Sequence, residues 1–260
     1  MYCPIIQIDA FTEHLFGGNP AAVVILDDWP ADEILQAIAA ENNLAETAFV
    51  IPEQPVARLR WFTPTVEMDL CGHATLAAAD VLLRDGLVTG ERVRFSTRSG
   101  EVAVDRDGSS LSLDFPARPG EPVAVTDAVV AALGQRPREL FAARDLLCVF
   151  DDAATVAALA PSMDRVAALD TFAVIATAPG DDVDFVSRFF APGAGVPEDP
   201  VTGSAHCTLT PYWAQTLGKD RLTARQLSPR GGELVCEARG ERVGIGGACV
   251  EYLRGTIALP

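Results

Sequence analysis

The 260-residue sequence predicts an α/β (α+β) protein built from two related halves. Three observations lead there. Apolar periodicities typical of strands and of helices alternate along the whole chain. Arg60-Trp61-Phe62-Thr63-Pro64 resembles Arg188-Phe189-Phe190-Ala191-Pro192. A few residues on, Leu70-Cys71-Gly72-His73-Ala74 resembles Val201-Thr202-Gly203-Ser204-Ala205, so strand, proline, acidic loop, glycine and helix recur in one order.

Ile5 to Phe11 and Ala21 to Leu26 read as strands, with Gly17-Gly18-Asn19-Pro20 as the turn between them. Asp32 to Glu41 has helical spacing, with Ile34, Leu35, Ile38 and Ala39 on one face. Strands follow at Thr47 to Ile51 and Val56 to Phe62. Ala74 to Arg84 is an Ala/Leu-rich helix stopped by Asp85-Gly86, and strands resume at Arg92 to Ser96, Glu101 to Asp105 and Ser110 to Phe115. The run Pro116-Ala117-Arg118-Pro119-Gly120-Glu121-Pro122 opposes both helix and strand and marks a boundary, so residues 1–117 form one half and 118–247 the next. In that next half, Asp127 to Leu133 and Ala153 to Leu159 read as helices. Leu146 to Phe150, Phe172 to Thr177 and Val183 to Phe190 read as strands, and a helix follows Gly203.

Composition removes several function classes. A net charge of -16 and the lack of any basic run argue against nucleic acid and against a negatively charged membrane. No apolar run approaches the ~20 residues of a membrane span. The N-terminus reads as a first strand rather than a signal peptide, so a cytoplasmic location is expected. The six cysteines make no CxxC and there are three histidines, so zinc and iron–sulfur spacings are lacking and reduced, mostly buried thiols are expected.

Chemistry concentrates at a few residues. A helix start presents unpaired amides and a partly positive dipole end, and a glycine there lets a ligand approach the backbone. Gly72 and Gly203 therefore suit a carboxylate or an enolate-like oxyanion on a small anionic substrate. Glu46 precedes a strand that is apolar on both faces; a carboxylate there is paired or lies at a cleft, and partial desolvation suits it to proton transfer. His73 is either a second acid/base group or a helix-start histidine bonded to backbone. Asp199 either holds a substrate amine or acts as a helix N-terminal acid. Ser204 either contacts substrate or caps its helix, and its surroundings are not those of a hydrolase nucleophile. Asn19 fits plain turn chemistry as well as a site. Pro211 falls inside a helix and should kink it.

Asp9-Ala10-Phe11 with Phe16 to Val23, Asn43 to Val50 around Glu46, Cys71 to Thr75, and Glu198 to Ala205 resemble, in order and over most of the chain, the phenazine-biosynthesis PhzF family. The resemblance implies the diaminopimelate-epimerase-like fold: two pseudo-symmetric domains, each a curved sheet around a central helix, with the active site in the cleft. It also implies that the last strand, about 248–260, returns to the first domain. A homodimer needing no cofactor or metal is expected on the same ground. Carried over by motif, Glu46 matches the catalytic acid/base, and His73 and Asp199 match substrate-contacting, proton-relaying positions. Gly72, Gly203 and Ser204 match substrate contacts, as does Asn19 more distantly. The expected reaction is a proton transfer such as isomerisation of a dihydro-hydroxyanthranilic acid. Related epimerases use two opposed thiols; here Cys71 occupies the first position but Thr202 the second, and a hydroxyl is too weak an acid to replace a thiol. An amino-acid racemase or epimerase using Cys71 is the alternative enzyme reading, and a non-catalytic small-molecule binding protein is the third.

Overall fold

The computed structural model describes residues 2–108 and 110–260; the first residue of the predicted N-terminal half lies outside them. The chain divides into two compact units, Met1–Asp114 with Gly246–Pro260, and Phe115–Ile245.

In the first unit β1 (Tyr2–Ala10) pairs antiparallel with β2 (Asn19–Ile25). Helix α1 (Asp32–Asn42) carries the chain back, so that β3 (Glu46–Ile51) runs parallel to β2, as a crossover demands. β4 (Ala57–Phe62) turns antiparallel along β3, and β5 (Glu67–Met68) adds a short pairing to β4. Helix α2 (Gly72–Arg84) is the second crossover and sets β6 (Arg92–Thr97) parallel to β4. β7 (Gly100–Asp107) and β8 (Ser110–Pro116) extend the sheet as an antiparallel meander.

The second unit repeats this order. β9 (Glu121–Val123), α3 (Asp127–Leu133) and β10 (Glu139–Ala142) lead to β11 (Leu146–Val149), with both β-pairings antiparallel. The short helices α4 (Ala153–Ala158) and α5 (Met163–Ala167) cross to β12 (Val174–Pro179), parallel to β11. β13 (Phe185–Phe190) turns back, and α6 (Gly203–Leu217) crosses to β14 (Arg221–Gln226), parallel to β13. β15 (Gly232–Arg239) pairs antiparallel with β14, and β16 (Arg242–Gly247) follows. The last strand, β17 (Cys249–Ala258), runs antiparallel along β1 in the first unit, with Tyr2 opposite Ala258. From β17 in one unit and from β9 in the other, the strand relations read antiparallel, antiparallel, parallel, antiparallel, parallel, antiparallel. The similarity between the two stretches of sequence is therefore also one of topology.

Helices α2 and α6 occupy corresponding places, and both are buried nearly all round through their first halves. A helix apolar on every face belongs inside its unit, and the small side chains Ala77, Ala78 and Ala79 let neighbouring strands approach it. α1, by contrast, buries Leu35 and Ala39 along one stripe.

The loops that enter α2 and α6 are tied down by one repeated device. Arg60 on β4 makes a two-pronged bond to Glu67, Nε to Oε1 at 2.7 Å and Nη2 to Oε2 at 2.8 Å. Arg188 on β13 makes the same fork to Glu198 at 2.7 and 2.9 Å. Each guanidinium also lies over the phenylalanine two residues on, 5.1 Å from the Phe62 centroid and 4.9 Å from that of Phe190. Arg188 reaches further and donates to Leu159 O at 2.7 Å, past the end of α4.

Two sequence expectations are corrected. The proline-rich boundary still forms a strand: Pro122 lies in β9 with Phe141 as its partner in β10, and three residues at such a place lose little by one missing donor. Asn19 and Pro20, expected in the turn, already pair with Ala10 and Asp9 as the first residues of β2. The turn is confined to the residues before them. Gly18 there has φ +60, and a Cβ on it would meet Ala10 O at 2.1 Å. Pro211 sits inside α6 as expected. Its missing N–H frees Cys207 O, which accepts instead from Arg118 N at 2.8 Å, in the segment that follows β8.

The fork yields a stability prediction. Lysine offers neither two parallel donors nor a flat face to stack, so Arg188→Lys is expected to lower the unfolding free energy in urea by about 1–3 kcal/mol. An unchanged urea midpoint would show that the fork contributes nothing.

Candidate active site

In the first unit the site starts from the exit of α1. Asn43 takes a left-handed conformation, φ 49, and its N–H closes on Ala39 O at 3.2 Å. This abrupt stop places Glu46 at the entrance of β3, with Ala21 of β2 as its backbone partner. Helix α2 begins at Cys71, whose backbone is extended and whose side chain caps nothing. Thr75 Oγ1 instead donates back to Cys71 O at 2.5 Å. The first turn of α2 then buries His73 between two partners. Its Nε2 lies 3.1 Å from Glu46 Oε2 and its Nδ1 lies 3.6 Å from Cys71 Sγ.

Half-buried Glu46 and buried His73 and Cys71 thus form one row with the imidazole in the middle. Their ligand-type atoms fall within 4.8 Å of one another. The carboxylate meets Nε2 of the ring and the sulfur meets Nδ1. Burial works to lower the His73 pKa, but negative charge at Cys71 and Glu46, with hydrogen bonds to both, outweighs it and holds the imidazole well above its ordinary value. Burial, then the nearby Glu46, push the Cys71 thiol upward.

Asn19 is fully buried on β2, two residues before the Glu46 partner Ala21. Asp9 on β1, also buried, steadies the same turn by accepting from Phe16 N at 2.9 Å. Gly72 supplies the first helical amide of α2.

The second unit builds its site differently. Thr202 is the N-cap of α6, Gly203 its first residue and Ser204 its second, so Ser204 is not the cap. Asp199 is not a cap either: its Oδ2 accepts from Thr202 Oγ1 at 2.5 Å, and its N–H is tied to Phe189 O at 3.1 Å. Gln226, at the end of β14, bonds this loop three times. Its Oε1 accepts from Thr202 N at 2.9 Å, and its Nε2 donates to Asp199 O at 2.8 Å and to Thr202 Oγ1 at 3.2 Å. One turn into α6, His206 Nδ1 donates to Thr202 O at 2.8 Å, the role that Thr75 plays in α2. Burial pulls the His206 pKa to about 4, so this imidazole is neutral.

The structure brings Glu46, Cys71 and His73 into one cluster, and Asp199, Thr202, Gly203 and Ser204 into another. Gln226 and the two Arg–Glu forks escaped the sequence reading. Arg60 and Arg188 do lie in the repeated segments with a glutamate in each following loop, which was a usable signal. Gln226 closes an ordinary alternating strand and carried none.

Comparison with known proteins gives consistent matches. The profile of the phenazine biosynthesis-like protein family PhzC-PhzF matches residues 8–255. An uncharacterized isomerase of Pseudomonas aeruginosa is 54% identical over 259 residues, covering all of both chains. The crystal structure of a phenazine biosynthesis protein of the PhzF family from Enterococcus faecalis superposes with a TM-score of 0.98 at 46% identity, covering all of both chains. A hydroxyproline epimerase from Agrobacterium vitis shares the fold at a TM-score of 0.64 and 13% identity, over 99% of this chain and 93% of that one. The architecture is thus the diaminopimelate-epimerase-like one.

The two histidines predict opposite pH behaviour. His206 has a folded pKa depressed from 6.5, so its stabilising contribution is complete above about pH 6.5 and is lost as pH falls through about 4. His73 has a raised folded pKa, so its contribution is complete below about pH 6.5 and is lost as pH rises through the folded value. In urea unfolding, the wild type should lose about 2–3 kcal/mol more than His206→Asn between pH 7 and 4.5. Parallel stability curves for the two proteins would contradict this.

Proposed function

The chain belongs to the phenazine biosynthesis-like PhzC-PhzF family, and from that premise we propose that it is an isomerase that moves a proton between carbons without a cofactor. The observation that carries the reading is the 3.1 Å contact between Glu46 Oε2 and His73 Nε2. In the proposed reaction Glu46 takes a proton from an acidic carbon. The electron pair of the broken C–H bond enters the conjugated system of the substrate, and Glu46 returns the proton to a second carbon. His73, 3.1 Å from Glu46, offers a donor to negative charge that develops during the transfer. The substrate class that suits this chemistry is a small molecule bearing a carboxylate and an amine, such as a dihydro-hydroxyanthranilate. Substrate contacts for Gly72, Gly203, Asp199, Ser204 and Asn19 are assigned from the family motif alone. A cytoplasmic homodimer is part of the proposal.

Racemisation through Cys71 is a second reading, favoured by the 3.6 Å contact of its sulfur with His73. Against it, burial pushes the pKa of the thiol upward, and Thr202, where a second thiol would stand, hydrogen-bonds to Asp199.

Incubation with dihydro-hydroxyanthranilate and a panel of cyclic and linear amino acids in deuterated water, read by mass spectrometry, should reveal deuterium at carbon in a product isomer. Glu46→Gln keeps the shape and removes the base; turnover should fall by roughly 10²–10⁴ while the fold survives. Full turnover by the folded variant would end the Glu46 assignment. Complete, substrate-protected inactivation by alkylation of Cys71, with racemised amino acid as product, would favour the second reading.

A further inference from the structure

We propose that Gln226 is a positioning residue of this site, acting through Thr202 to hold the Asp199 carboxylate as a fixed hydrogen-bond acceptor. Three steps of bonding geometry lead to this. First, the Gln226 amide has one possible orientation. Its Oε1 meets a backbone N–H, that of Thr202, and its Nε2 meets a backbone carbonyl, that of Asp199. Neither partner tolerates a flipped amide, because an N–H only donates and a carbonyl only accepts. Second, Nε2 then has its other hydrogen directed at Thr202 Oγ1, 3.2 Å away, and this bond uses the hydroxyl as an acceptor. Third, the single hydroxyl proton of Thr202 is left for Asp199 Oδ2, which accepts it. The chain runs one way, from amide to hydroxyl to carboxylate.

Its setting gives the chain leverage. Gln226 is 0% exposed and Thr202 is 7% exposed. A buried amide is costly unless its groups are used, and here both hydrogens and the oxygen are used on two residues of one loop. His206 adds a fourth tie by donating to Thr202 O, so the N-cap residue is held at its amide, its carbonyl and its side chain. The first unit holds its equivalent loop more simply: Ser99 Oγ donates to Asp69 O at 2.7 Å. At the Thr202 position it has Cys71, whose sulfur meets His73 instead. Thiols donate weakly, so a cysteine at 202 would hold Asp199 poorly. The exchange of thiol for hydroxyl thus gives position 202 a different task, that of aiming a carboxylate.

That Asp199 takes part in turnover rests on the function proposed above; the bonding chain does not, and the test separates the two. In 13C-labelled protein the Asp199 carboxyl carbon is titrated by NMR in the wild type, Thr202→Val, Thr202→Ser and Gln226→Met. The Asp199 midpoint should rise in Thr202→Val and Gln226→Met and stay with the wild type in Thr202→Ser. If Gln226→Met does not fold, Gln226→Asn, one methylene short of its partners, carries the same expectation. With dihydro-hydroxyanthranilate as the probe, Thr202→Val should lose about 10–100-fold in kcat with KM changed less than about threefold, and Thr202→Ser should recover most of the loss. Equal midpoints in Thr202→Val and Thr202→Ser, or a wild-type midpoint in both Gln226 variants, would overturn the chain. A shifted midpoint with undiminished kcat in Thr202→Val would overturn its positioning role. If the wild type fails to turn over the probe, the loss falls on the proposed reaction, and the carboxyl titration still decides the chain.

Discussion

The loops that enter α2 and α6 are tied down by a fork between an arginine in a strand and a glutamate further on, Glu67 in β5 and Glu198 ahead of α6. In each unit the strand before the buried helix ends with an arginine two residues ahead of a phenylalanine, and the guanidinium rests on that ring. Stacking fixes the plane of the guanidinium, so its paired N–H groups point in one direction. Only a carboxylate arriving in that plane takes both bonds. The loop after the strand must therefore fold back over it, which sets where the next helix starts. Charge pairs taken out of water return little net stability, and their value lies in excluding other arrangements. Here that means one path into α2 and one into α6.

Once the helix starts are set, the two units spend them on different chemistry. In the first, the N-cap sulfur turns to one nitrogen of an imidazole whose other nitrogen meets the carboxyl of Glu46. In the second, the N-cap hydroxyl serves a carboxylate in its own loop, and the histidine one turn on is neutral and braces the backbone. The same scaffold therefore raises the pKa of one histidine and lowers that of another. The difference is local: His73 has Glu46 at 3.1 Å, whereas burial dominates at His206, which donates to the Thr202 carbonyl.

Much of the fold was legible because periodicity survives in local sequence. The helices at Asp32, Ala74 and Asp127 and most strands were read to within a few residues. What escaped was short or stabilised by neighbours. β10 has four residues and α5 five, too few for a pattern, and β9 forms around a proline because its partner strand supplies the order. At the site, Glu46 was legible through the contradiction of an acid before an apolar strand. Gln226 offered no such contradiction, since its value comes from a loop 24 residues earlier in sequence.

The sequence by itself determined that the chain is doubled, that each copy runs strand, proline, acidic loop, glycine and helix, and that its motifs are those of one isomerase family. These follow from periodicity, repeated spacing and residue type, which are properties of neighbours along the chain. Only the tertiary structure decided which acid meets His73, that Thr202 serves Asp199, and that the proline in α6 leaves a carbonyl for Arg118 N. Two of those pairings join residues distant in sequence, and the third, Thr202 with Asp199, though three residues apart, takes its direction from Gln226 on a later strand; a hydrogen bond depends on where two atoms come to rest.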